Sequence, residues 1–106
     1  MLNRGRLTEA IDHYRWTVQI NPDITQAHNS LGDALAQQGK LVEAIEHFKQ
    51  ALRIKPDNAD AHNNLGLALA RQGKLAEAIE HYRRAVKLRP SFPEAQSNLA
   101  NALRRL

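Results

Sequence analysis

Five histidines are the residues of this chain best suited to metal or acid–base chemistry, and their spacing argues against both. His13, His47 and His81 recur at intervals of 34 residues, as do His28 and His62. Zinc signatures legible in a sequence place ligands three or four residues apart, whereas a step of 34 spreads them over separate elements, so no metal site is expected. Glu46-His47 and Glu80-His81 join a carboxylate to an imidazole, but neighbours on a helix point about 100° apart and do not form a proton-transfer couple. The absence of cysteine removes thiolate chemistry and disulfides. No HExxH, GxSxG or glycine-rich phosphate loop is present. The chain therefore reads as no enzyme, with no cofactor.

What remains is recognition chemistry. Asn29, Ser30 and Asp33 are followed at the same interval by Asn63, Asn64 and Leu67, and then by Ser97, Asn98 and Asn101. A carboxamide carries both a donor and an acceptor, the complement of a peptide backbone. Asn64 and Asn98, one period apart, can therefore hold an extended peptide whatever its side chains. The alternative is that these asparagines cap or bridge neighbouring helices. Ser30 interrupts the series.

Fifteen Lys and Arg against eleven Asp and Glu give a net charge of +4. The excess sits at Arg15, Lys49, Arg53, Lys55, Arg83, Arg84, Lys87 and Arg89, and at Arg104 and Arg105. These residues alternate with Glu43, Glu46, Glu77 and Glu80, several at the three- or four-residue spacing of helical ion pairs, which describes a solvated face. With no aromatic on the first-helix face to stack on bases, nucleic acid is not an expected partner. The apolar runs are far shorter than the roughly 20 residues that span a bilayer, so neither membrane insertion nor a signal peptide is expected and a cytoplasmic location is read.

The interval of 34 is a repeat of the whole chain. Twenty of the 34 positions from Asp23 to Pro56 are identical in Asp57 to Pro90, which is beyond coincidence. One array over residues 1–106 follows: a second-helix half unit at 5–22, full units at 23–56 and 57–90, and a first-helix half unit at 91–106. Within a unit, Ala27, Leu31, Ala34 and Leu35 fall on one helical stripe, and Leu41, Ala44, Ile45, Phe48, Ala51 and Leu52 on another. Gly39 and Gly73 are placed to end first helices, and Pro56 and Pro90 to stop second helices. Asp23 with Gln26 and Ser91 with Glu94 have the spacing of capping boxes. Pro93 stands just inside a helix start, where its missing N–H costs nothing. Small Gly32, Ala44 and Ala51, and Gly66, Ala78 and Ala85, let helices approach around the large Phe48 and Tyr82.

Leu31-Gly32, Ala44, Phe48, Ala51 and Pro56, repeated as Leu65-Gly66, Ala78, Tyr82, Ala85 and Pro90, resemble the tetratricopeptide repeat family. The resemblance implies an all-α, right-handed superhelical solenoid of antiparallel helix pairs whose first helices line a concave face. The peptide-binding residues it implies are Asn29, Ser30, Asp33, Asn63, Asn64, Ser97, Asn98 and Asn101. The repeats are also similar to the arrays of O-linked N-acetylglucosamine transferases, in which asparagine ladders occur, especially along Phe92-Pro93-Glu94-Ala95 and Ser97 to Leu103. Family members that clamp chaperone carboxylates use basic residues on this face. Here Asn29, Asp33, Asn64, Glu94 and Asn98 stand instead, which favours a neutral or basic segment.

The chain begins inside a unit, so Leu2, Trp16 and Val18 form an apolar end suited to self-association. Trp16 replaces Gln50 and Arg84 of later units. The expected function is a protein-interaction scaffold for an extended peptide. Alternatives are the substrate-recruiting part of a larger glycosyltransferase-type enzyme and a homo-oligomerisation module.

Overall fold

The computed structural model describes residues 4–106. Six helices follow one another: α1 Arg4–Ile20, α2 Thr25–Gln37, α3 Leu41–Ile54, α4 Ala59–Arg71, α5 Leu75–Leu88 and α6 Pro93–Arg105. Each buries the stripe its sequence carries. In α3 this is Ala44, Ile45, Phe48 and Ala51, and in α5 Ala78, Ile79, Tyr82 and Ala85.

The turns between α2 and α3 and between α4 and α5 need glycine. Gly39 and Gly73 lie at φ 81° and 82°, the left-handed region that costs a side chain energy. Gly39 N–H donates to Ala36 O at 3.0 Å and Lys40 N–H to Leu35 O at 2.9 Å, closing carbonyls that the helix end would leave open. Gly73 and Lys74 repeat both bonds at 2.9 Å.

Helix starts depart from the capping boxes expected at Asp23 and Ser91. The residue preceding α2 is Ile24, held extended, and that preceding α6 is Phe92; neither start carries a side-chain cap. Packing decides the second case, because Phe92 is buried with Ala59, Ala85 and Ala95 and fixes where the chain turns. Asp23 instead turns its N–H to Asn21 Oδ1 at 3.4 Å. Asn58 supplies a true cap for α4, accepting from Ala61 N–H at 2.8 Å. Pro93 opens α6, as its chemistry permits.

Within each helix hairpin an aromatic ring lies on a glycine. A β-carbon on Gly32 would meet Phe48 at 2.5 Å, and one on Gly66 would meet Tyr82 at 2.7 Å, inside any tolerable contact. The bared backbone lets the axes close, and both rings are 1% exposed. The main core then runs without a break from Leu7 and Ile11 of α1 to Ala102 of α6.

Contact between elements is asymmetric. The backbones of the even helices approach one another in succession, α2 with α4 and α4 with α6, whereas those of α1, α3 and α5 approach only the even helices beside them, and α1 reaches α3 through the long side chains of Arg15 and Glu43. A stack closed along one layer and spread along the other curves toward the closed layer. The concave face therefore belongs to α2, α4 and α6.

Candidate functional site

On that face lies a groove of about 540 Å³ whose lining includes Asn29, Ser30 and Asp33 of α2 and Asn64 of α4. Glu94 of α6 and the capping Asn58 also border it. The helical step of three to four residues sets Asn29, Ser30 and Asp33 on one side of α2, and the step of 34 places Asn64 opposite them.

The asparagines are joined across repeats. Asn64 Nδ2 donates to Asn29 Oδ1 at 3.1 Å, and Asn98 Nδ2 donates to Asn63 Oδ1 at 3.0 Å. Bridging and binding are compatible, since each donating amide keeps a second N–H and its own oxygen. Asn63 is 2% exposed and so reaches the face only through Asn98, a correction to its reading as a direct contact. Ser97 and Asn101 are exposed on α6 outside the groove lining, and Arg104 donates to Asn101. The structure thus brings together Asn29, Ser30, Asp33 and Asn64, with Asn98 one step along.

The groove is acidic. Asp33, Asp60 and Glu94 line it, and among the described residues no lysine or arginine does. Asp60 is held by Arg89, whose two Nη atoms donate to its two carboxylate oxygens at 3.1 Å each while the guanidinium lies 4.5 Å over the Phe92 ring. Asp33 accepts from Gln37 Nε2 at 3.1 Å. Among the described residues the ion pairs are Arg89–Asp60 and Arg15–Glu43, which leaves Asp33 and Glu94 without a cation. The helical pairs that spacing allowed between Glu46 or Glu80 and their basic neighbours are not closed either.

These repeats have recognisable relatives. The sequence pattern described as TPR repeat matches residues 2–39 and 32–73, and the tetratricopeptide repeat pattern matches residues 59–92. The chain belongs to the tetratricopeptide repeat family. Among solved structures, this repeat array is similar to the first TPR of Spaghetti (RPAP3) bound to HSP90 peptide SRMEEVD, with TM-score 0.92 and 24% identity over 96% of this chain and 81% of that one. It is similar to MamA, with TM-score 0.87 and 26% identity over 92% of this chain and 57% of that one. YrrB, described as a TPR protein with an unusual peptide-binding site, gives TM-score 0.82 and 27% identity over 88% of this chain and 48% of that one. The chain thus spans about half the length of MamA and of YrrB. A comparison with curated proteins gave no match.

Two histidine pairs are the site chemistry that the sequence concealed. His28 of α2 meets His47 of α3 with Nδ1 atoms 3.2 Å apart, and His62 of α4 meets His81 of α5 at 3.0 Å. Their ring centres are 5.5 and 5.3 Å apart, more than 2 Å beyond the nitrogens, so the rings meet end to end. That is the geometry of an N–H···N hydrogen bond, with each Nδ1 directed at the other ring. The other nitrogen of the first ring, Nε2, sits 2.7 Å from Pro22 O in His28 and 2.9 Å from Pro56 O in His62. The paired residues are 19 apart, a spacing set by the hairpin turn and hidden by the 34-residue period.

At the near end of the array, Trp16 is 60% exposed. Val18 instead packs against the main core, which corrects its assignment to an open apolar end. Leu2, the third residue of that expectation, lies outside the described residues. None of the described helices is long and apolar enough to cross a membrane.

Proposed function

We propose that this tetratricopeptide array is a non-enzymatic, cytoplasmic scaffold that binds an extended peptide segment, neutral or basic in charge, along its concave groove. The observation that carries the reading is the groove itself, where Asn29, Ser30 and Asn64 offer backbone-complementary groups beside the unpaired carboxylates Asp33 and Glu94. The peptide-binding site named for YrrB and the peptide on the RPAP3 repeat support peptide recognition by this fold. Charge separates this chain from the latter, because the Glu, Glu and Asp of SRMEEVD would face carboxylates here.

Panning a random peptide library against the chain and against an Asn64→Ala, Asn98→Ala double variant of unchanged helicity tests the proposal. A shared motif selected by the wild type and lost by the variant supports it. Identical selections by both chains, or none by either, rule the ladder out as the binding site.

A second reading is favoured by the asparagine ladder, whose like occurs in O-linked N-acetylglucosamine transferase arrays. In it the same groove recruits substrate for a glycosyltransferase-type enzyme, and a full gene lacking a catalytic region dismisses it. Self-association, the remaining alternative, rests on Trp16.

A further inference from the structure

The His62–His81 pair borders a second pocket, of about 290 Å³, between α3, α4 and α5. Lys49 of α3 and Arg84 of α5 line it above Leu52, Pro56 and Leu65, and no carboxylate does. Among the described residues neither cation forms an ion pair. The volume is at the lower edge of small-ligand sites, enough for one ring and one charged group.

The hydrogen bonds of the pair fix where its protons are. Pro56 O can only accept, so His62 Nε2 carries a proton and donates to it. In neutral His62 the Nδ1 is then bare and accepts from Nδ1–H of His81. His81 Nε2 is left as a bare nitrogen, which becomes a donor when the ring takes up a proton. The pair tolerates that proton, because His81 still donates to His62; a second proton would set two N–H groups against each other. Burial, then His62 and Arg84, hold the His81 pKa below its usual value, while Glu80 and Glu77 act in the opposite sense. On α4, His62 is likewise held down, by burial first and also by Arg84, against its bond to Pro56. Lys49 is the charged group that α3 contributes to the pocket. An anion seated there supplies the negative charge that protonation of His81 lacks.

We infer that this pocket binds a phosphate monoester carried on a small apolar body, and that binding takes up a proton at His81. Lys49, Arg84 and protonated His81 offer donors from three side chains to the three terminal oxygens of the phosphate. A planar carboxylate has two oxygens and uses such a set less fully. Leu52, Pro56 and Leu65 receive the organic group. The site is separate from the concave groove and stands or falls independently of it.

The preceding repeat provides an internal control. At the equivalent positions Arg15 replaces Lys49 and is ion-paired with Glu43 at 2.6 Å, and Gln50 replaces Arg84. His28 and His47 form the same hydrogen bond there, without the free cations.

The test is a nuclear magnetic resonance titration of the isotopically labelled chain with phenyl phosphate, run beside inorganic phosphate and benzoate. Saturable shifts are expected at Lys49, His62, His81 and Arg84, with none at His28 and His47. Phenyl phosphate should bind about tenfold or more tightly than benzoate, and a Lys49→Ala, Arg84→Ala variant of unchanged circular dichroism should lose about tenfold or more. Above about pH 7 the ester is already a dianion, so weakening of its binding toward higher pH reports the proton on His81. His81→Gln should abolish that pH dependence. No saturable shift in the millimolar range, equal responses at the two histidine pairs, or benzoate binding as tightly as phenyl phosphate would each overturn the inference. Inorganic phosphate binding as tightly as the ester would remove the apolar body from it.

Discussion

The two helix hairpins α2–α3 and α4–α5 are built on the same packing and differ in charge. Both set an aromatic ring on a glycine, turn through a left-handed glycine and join their helices by a histidine pair. At the first pair, Arg15 is matched by Glu43 and Gln50 is uncharged; at the second, Lys49 and Arg84 face a pocket without carboxylates. Conserving the packing residues keeps the hairpin, and two exchanges around it, Arg15 for Lys49 and Gln50 for Arg84, convert a neutral notch into a cationic one. In such an array the fold is carried by what recurs, and individuality by what does not.

The strongest way to break this equivalence is through the rings. Phe48→Ala and Tyr82→Ala should each cost about 3–5 kcal/mol in urea denaturation, because each empties a fully buried site. Losses differing by more than about 1 kcal/mol would mean that the hairpins are not packed alike. Next come the glycines beneath them. Gly32→Ala and Gly66→Ala should cost about 1–3 kcal/mol by overpacking, read in the same way.

Acid should act on both hairpins. His47, His62 and His81 are all held below 6.5, by burial first, so the folded chain binds fewer protons than the unfolded chain under acidic conditions. Their contribution to stability is complete above 6.5 and is lost as pH falls below 6.5 through the depressed folded values. The urea midpoint should therefore drop between about pH 7 and pH 5, and a His47→Gln, His81→Gln variant should show a flatter profile. An unchanged slope would exclude the pairs as its source.

The difference between the hairpins can also be transplanted. Glu43→Gln with Gln50→Arg frees Arg15 and adds the missing cation, so the first hairpin should gain phenyl phosphate shifts at His28 and His47. The smallest effect belongs to Trp16. Trp16→Gln should change stability by less than about 0.5 kcal/mol, yet abolish any concentration-dependent association seen by sedimentation. Association that survives the exchange would remove Trp16 as its anchor.

The period of 34 made much of this architecture legible. Helices, glycine turns and the opposition of small and large residues all recur with it, so one unit interprets the next. The groove residues Asn29, Ser30, Asp33 and Asn64 were legible for the same reason. Features that depend on one helix meeting another out of step were not. The histidine pairs join residues 19 apart, and the bidentate pair joins Arg89 to Asp60, 29 residues away. Asn63 and Asn29 occupy the same place in the repeat, yet Asn63 is fully enclosed while Asn29 stays half-exposed, because α4 has an even-numbered neighbour on both sides. Capping pairs misled for another reason: burial of Phe92 outweighed the local polar choice at the start of α6.

The open spacing of the odd-numbered helices has a mechanical consequence. Because the backbones of α1, α3 and α5 stay apart, with the Arg15–Glu43 side chains bridging the first two, flexing the stack meets its stiffness in the even-numbered layer, which acts as the neutral axis of the beam. The outer helices fan like the ribs of a bellows while the asparagine bonds along the inner layer keep their length. A chain lying on that layer would be bent with the array and not stretched by it.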